Sequence, residues 1–179
     1  VHTVMEGQYR SLSTVGNHAP VVVDEPLHLF GQDTAPAPGE IVLSGLGGCI
    51  AVGVTAVATW KGVKLSRLEV FLEGDIGNPA AWGAGGASKQ PAQMGFQAVR
   101  ASVVLEADAP RELLEQIVRE ADYASPMANC FRNPGRNGDR TGSGSPAHAR
   151  GEENHLRAFH DGGKLPIALF RRGFADSWQ

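Results

Sequence analysis

The chain carries two thiols, Cys49 and Cys130, and the setting of the first makes it the leading candidate for chemistry. Cys49 lies in PAPGEIVLSGLGGCIAVGVTAVATWKG, where no charged side chain falls between Glu40 and Lys61. Gly45, Gly47, Gly48 and Gly53 interrupt the same stretch. A thiol in such a run has two readings. It is a small apolar side chain filling a core, since free cysteine is among the most buried residue types, or it is a nucleophile, which needs polar neighbours to hold it as the thiolate. At the level of the residues both stand. Other chemistries find little support. The histidines His2, His18, His28, His148, His155 and His160 form no pair at metal-site spacing matched with cysteine or carboxylate, so no metal is expected. GLGGCI places Ile50 where a dinucleotide fingerprint needs its last glycine, and it follows no strand. There is no G-x-S-x-G and no phosphate loop.

The 179 residues suit one domain, and a net charge of −3 offers no electrostatic reason to expect nucleic acid or an anionic membrane as partner. The opening VHTVMEGQYR lacks the basic start and apolar run of an export signal. With only two cysteines this predicts a cytoplasmic protein in a reducing compartment, where thiols tend to be chemical rather than structural. The uncharged run from Ile41 is long enough to span a bilayer, but its glycines and the absence of a basic cluster at one end favour a buried helix of a soluble protein. Each glycine costs a helix about 1 kcal/mol relative to alanine. So many of them predict close packing against a neighbouring backbone, such as a second copy of the same helix.

The elements that must position the thiol follow from period and punctuation. The first thirty residues read as short strands, with GNHAP a turn and PVVVDEP a β-branched run stopped by Pro26. A helix is predicted from about Pro38 to Trp60, stopped by Gly62. KLSRLEVFLEGDI and FQAVRASVVLEAD alternate as strands, with a Gly/Ala/Pro-rich loop carrying Trp82 between them. Asp108 is expected to cap a second helix whose stripe is Leu113, Leu114, Ile117, Val118 and Ala121, ending at Ser125 and Pro126. From Gly135 the chain turns polar and rich in glycine, serine and arginine, which predicts a domain over residues 1–134 and a flexible tail over 135–179. KLPIALF within that tail has no evident partner. Strands interrupted by helices without strict alternation read as α+β.

In this order VVVDEP, GQDTAPAPGEIVLSGLGGC, a strand pair and DAPRELLEQIVREADYASPM resemble the OsmC/Ohr family of thiol-dependent peroxidases, over roughly residues 21–134. The resemblance implies an intertwined homodimer with a long central buried helix and flanking antiparallel sheets. It implies that Cys49 lies in an apolar pocket at the dimer interface and attacks organic hydroperoxides. The sulfenic acid formed would condense with a second thiol, and an external thiol or dithiol, rather than a bound cofactor, would restore the enzyme.

The sequence departs from the family pattern in three places. Where the family has a second cysteine before proline, this chain has Ser125, and Cys130 follows five residues later as the remaining candidate to resolve Cys49. Where the family has a glutamate ten positions before the reactive cysteine, this chain has Gly39, with Glu40 adjacent and suited to the start of a helix. Arg10 is the only early arginine available to a thiolate, and it lies in a strand-like YRSLS. The third departure is the polar tail, which lacks the β-branched residues of a closing strand. The catalytic set is therefore Cys49, Glu40, Arg10 and Cys130. The alternative is a non-catalytic protein of the same fold that binds a small hydrophobic molecule, with Trp60 and Trp82 near the pocket.

Overall fold

The computed structural model describes residues 1–77, 95–132 and 164–171, in two compact units. One comprises residues 1–45 with the chain around 76–96, and the other is built on 46–75 and the chain from 97 onward. The loop with Trp82 and most of the stretch after Gly135 lie outside the described residues.

In the first unit, β1 (His2–Gly7) and β2 (Arg10–Thr14) form an antiparallel hairpin, and β3 (Val21–Val23) adds to β2 with Leu12 opposite Val22. Thr3 and Ser13 exchange a hydroxyl hydrogen bond of 2.8 Å across the hairpin. The chain then folds around the carboxylate of Asp24, which is 0 % exposed. That carboxylate accepts the Thr34 hydroxyl at 2.7 Å, the Thr34 N–H at 3.1 Å and the Glu25 N–H at 2.9 Å. Four acceptor sites on one buried group close the loop over residues 24–34. Gly31 is required inside it, because a Cβ there would stand 1.7 Å from the Glu25 carbonyl oxygen.

The long helix α1 (Pro38–Trp60) has the predicted bounds. Pro38 opens it, where its missing N–H costs nothing, and Gly62, at φ +69°, follows its end in the left-handed conformation glycine tolerates. It is not buried all round, as its composition suggested. Within one chain only the stripe Leu46, Ile50, Val54 and Ala58 is buried, at a spacing of four residues. Val42 and Val52 on other faces are 49 % and 70 % exposed.

The second unit holds a sheet in the order β4-β5-β6, formed by β4 (Leu65–Gly77), β5 (Gly95–Ala107) and β6 (Lys164–Arg171). Cross-strand pairs Arg67–Glu106 and Arg100–Asp75 run in opposite senses along β4 and β5, so these two are antiparallel. Val99, Ala101, Val103 and Leu105 form the buried face of β5 as the alternation predicted. They share a core with the α1 stripe and with Ile117, Val118 and Ala121 of α2 (Arg111–Ala124). Asp108 does not cap α2. Pro110 takes the cap position with no side-chain bond, since its fixed φ of −58° already directs the chain into the helix.

Two further elements were not expected. Pro126 begins a short helix, α3 (Pro126–Arg132), instead of a terminal turn. Within the stretch expected to be an unpartnered tail, β6 pairs antiparallel with β5, Ala101 opposite Ile167 and Val103 opposite Leu165.

Two helical glycines have distinct surroundings. A Cβ at Gly47 would sit 2.9 Å from Leu72 Cδ1, whereas one at Gly53 would meet Ala121 Cβ at an ordinary 3.5 Å. We therefore expect Gly53→Ala to stabilise the chain by up to about 1 kcal/mol through helix propensity. Gly47→Val should instead destabilise it by about 1–3 kcal/mol through overpacking. Urea denaturation of the two variants separates the effects.

Candidate active site around Cys49

Cys49 lies on α1 next to the buried Ile50 and is itself half-buried. One turn further on, Gly53 faces Ala121 of α2, so the two helices run close where the C-terminal end of α2 approaches the thiol. Lys61, just past α1, bonds Glu120 at 3.0 Å and ties the same helices near the other end of the contact. This packing puts the Cys49 Sγ 3.3 Å from the Ser125 Oγ.

Ser125 is held at the α2–α3 junction by all its polar groups. Its N–H donates to the Asp122 carbonyl at 3.2 Å, its carbonyl accepts the Asn129 N–H at 3.0 Å, and its Oγ accepts the Ala128 N–H at 3.2 Å. The last bond makes Ser125 the N-cap of α3, a role serine fills well. Arg132 closes the junction from the far end of α3. Its Nη1 donates to the Asp122 carbonyl at 3.0 Å and its Nη2 pairs with Asp122 Oδ2. Asp122 Oδ1 is buried and has no hydrogen-bond partner among the described residues.

The four residues predicted to share a site each have the following surroundings. Cys130 is on α3, exposed and unpaired, rather than filling space under a last strand. Glu40 accepts the Ala37 N–H at 2.8 Å, which is one half of a capping box at the start of α1. Arg10 opens β2, where its guanidinium bonds Glu6 at 2.9 Å and the Thr34 hydroxyl at 2.7 Å. Arg10 and Glu40 belong to the first unit, Cys49 and Cys130 to the second. The residue that does touch the thiol, Ser125, entered the sequence reading only as a departure. Its signal is the Ser-Pro pair that ends one helix and caps the next. Among the described residues no three or more metal-ligating side chains gather.

A profile of OsmC-like proteins matches residues 31–136, more than half of the chain and the whole segment from the loop before α1 to the end of α3. The chain belongs to the OsmC-like protein family. No curated protein matches the sequence. Among solved structures, an OsmC-like protein from Mycoplasma pneumoniae superposes with a TM-score of 0.60 at 14 % identity, covering 74 % of this chain and 85 % of that one. A Legionella pneumophila organic hydroperoxide resistance protein OsmC gives 0.52 at 18 % identity over 74 % and 88 % of the two chains. A putative organic hydroperoxide resistance protein from Vibrio cholerae, solved with captopril in one of its active sites, gives 0.53 at 20 % identity over 73 % and 83 %. At these identities the likeness is one of fold: a mixed α+β chain with antiparallel sheets. This OsmC-like fold is that of soluble proteins, and α1, although long and apolar enough to cross a membrane, lends its buried stripe to a protein core.

The buried loop that anchors Arg10 through Thr34 has opposed titrations. Its hydrogen bonds, the Thr34 hydroxyl foremost, hold the Asp24 carboxyl below the usual aspartate value. Burial, and then the neighbouring Asp24 charge, push Glu25 above the usual glutamate value. For Asp24 the stabilisation is present above its unfolded value and is lost as the pH falls through the lowered one. For Glu25 it is present at acid pH and is lost as the pH rises through the raised one. We expect Asp24→Asn to lower the melting temperature at neutral pH, with the deficit shrinking below about pH 4. Glu25→Gln should raise it at neutral pH and converge on wild type in acid. Thermal melts across that range check both signs.

Proposed function

We propose that the protein is a thiol-dependent peroxidase that reduces organic hydroperoxides at Cys49, working as a homodimer with an external thiol or dithiol as reductant. The observation that carries this reading is the half-buried Cys49 sulfur in hydrogen-bond contact with a hydroxyl inside an otherwise apolar helix packing. The thiolate attacks the terminal peroxide oxygen. The O–O bond breaks, the alcohol leaves with a proton, and Cys49 becomes a sulfenic acid. An external thiol then displaces water from that sulfur to give a mixed disulfide, and a second thiol releases Cys49 in its reduced form. The Legionella and Vibrio neighbours, named for organic hydroperoxide resistance, support the substrate class.

The open face of α1 supports the dimer. Val42, Gly45, Gly48 and Val52 follow one another at helical spacing along an exposed stripe. A Cβ at Gly45 or at Gly48 would meet nothing within 4 Å in this chain, so neither glycine is explained by packing within it. A second copy laid against the stripe explains both, and brings an apolar wall beside Cys49 that favours an alkyl peroxide over hydrogen peroxide.

A second reading is favoured by one observation. Glu40 and Arg10 each have partners of their own, the Ala37 N–H and the pair Glu6 and Thr34, which suits a protein that has kept the fold to bind a small hydrophobic molecule without turning it over. Ligand binding would then change the fluorescence of Trp60, which is 91 % exposed in the single chain.

Intact mass after one equivalent of cumene hydroperoxide, with hydrogen peroxide alongside, decides between the readings. Peroxidase chemistry predicts fast addition of oxygen to Cys49 by the organic peroxide, no consumption by Cys49→Ser, and retained consumption by Cys130→Ser. An unmodified thiol in wild type hands the lead to ligand binding. For the assembly, Gly48→Leu should convert the dimer to monomer in sedimentation while leaving the circular dichroism unchanged. A dimer of wild-type affinity in that variant refutes the proposed seam.

A further inference from the structure

We infer that the Ser125 hydroxyl is the hydrogen-bond donor to the reacting sulfur of Cys49, a catalytic role added to the peroxidase reading on which it rests. The assignment follows from the hydrogen-bond accounting at one atom. A serine hydroxyl has one proton to donate and two lone pairs to accept with. The Ser125 Oγ accepts the Ala128 N–H at 3.2 Å, and an N–H takes no proton from it. The Ser125 N–H and carbonyl are paired with Asp122 and Asn129. Ser125 is 3 % exposed, so bulk water does not compete freely for the proton. The remaining partner is the Cys49 Sγ at 3.3 Å. A proton directed at sulfur leaves sulfur as the acceptor, and a hydrogen bond of that sense strengthens when the acceptor becomes anionic.

Two further features make the bond a fixed one. Ser125 is the hinge between α2 and α3, so its χ1 is set by the cap it makes to Ala128. Arg132 grips both the carbonyl and the carboxylate of Asp122 and closes α3 back over α2, so the hinge cannot open without breaking a charged fork. The donor therefore stands in place before any peroxide arrives and needs no reorganisation when charge builds on sulfur.

The same contact sets the fate of the oxidised sulfur. Ser125 lies against the Cys49 sulfur, and its oxygen forms no bond to sulfur under these conditions. The Cys49 sulfenic acid is left beside a hydroxyl and is discharged by a thiol from solution, water leaving with the proton of that thiol.

The test uses alkylation of Cys49 by iodoacetamide, which needs no peroxide and is independent of turnover. In a Cys130→Ser background, the rate at neutral pH should fall about tenfold or more in Ser125→Ala, the worth of one hydrogen bond to a charged acceptor, with the pH–rate profile displaced to higher pH. Ser125→Thr keeps the hydroxyl and should return the profile towards wild type. Because Ser125→Ala also removes the α3 cap, its circular dichroism and thermal melt are compared with Ser125→Thr, and Ser125→Gly, which tolerates the cap position, repeats the loss of the donor alone. An unchanged profile in Ser125→Ala and Ser125→Gly overturns the inference, whatever the peroxidase assay shows. In the same background Ser125→Cys should, on oxidation with cumene hydroperoxide, lose two hydrogens to form an internal disulfide, whereas the serine protein gains one oxygen. A variant that gains oxygen without closing a disulfide shows that the two side chains do not meet in solution and also overturns it. Failure of wild type to consume any hydroperoxide, with the alkylation result intact, sinks the peroxidase reading alone.

Discussion

The close approach of α1 to its neighbours is the constraint on which the site depends. A helix of this length with one buried stripe normally stands about 8–10 Å from what it packs against. Here Gly47 lets Leu72 of β4 come to the helix surface, and Gly53 lets Ala121 of α2 do the same. A side chain at Gly47 would press on Leu72 Cδ1, whereas α2 leaves ordinary contact room for a methyl group at Gly53. The Cys49–Ser125 contact sits between these two points of approach, one helical turn from Gly53. A hydrogen bond to sulfur of 3.3 Å tolerates little displacement.

Several charged groups of the described residues have clear structural partners. Asp24 organises a loop from inside, Arg10 reaches its Thr34, and Glu40 closes the first turn of α1. The ion pairs of β4 and β5, including the bidentate Arg100–Asp75 pair, lie on an exposed face. Exposed pairs of this kind each add little to stability, about 0–1 kcal/mol. The polar group in contact with the Cys49 sulfur is a neutral hydroxyl. A neutral donor stabilises an anion less than a guanidinium would, and it also leaves the surroundings apolar enough to receive an alkyl group.

The parts of the fold that were legible in the sequence are those whose signal is local. The bounds of α1 follow from Pro38 and Gly62, and the faces of β5 and α2 from periods of two and 3.6. What could not be read is non-local or lies in short elements. β6 pairs with a strand about sixty residues earlier, and its KLPIALF contains a proline that argues against a strand. Pro166 is accommodated opposite Ser102 because β6 is the last strand in the order β4-β5-β6, where an edge position leaves room for a missing N–H. The seven residues of α3 are too few to show a period, and only the Ser-Pro pair marks their start. The site was legible in its thiol and not in its partners. The family pattern pointed to Glu40 and Arg10, whose hydrogen bonds to the Ala37 N–H and to Glu6 and Thr34 come from their own loop and strands.

Replacing a second thiol by serine at the hinge changes what the chain can do more than it changes the shape of the hinge. Either side chain can receive the Ala128 N–H and lie against Cys49, but oxygen is the better cap and the better donor, and sulfur alone can form the covalent bond. On the peroxidase reading, a serine there holds the Cys49 sulfur before reaction but cannot itself form a disulfide with it afterwards. Cys130 stands apart from that contact by its exposure. It is five residues along a helix whose first residue is already fixed to α2, and it faces outward while Ser125 faces the core. On the peroxidase reading, the reducing half of the cycle is therefore governed by which thiols can enter the pocket, and the apolar face of α1 that admits the peroxide must admit the reductant as well.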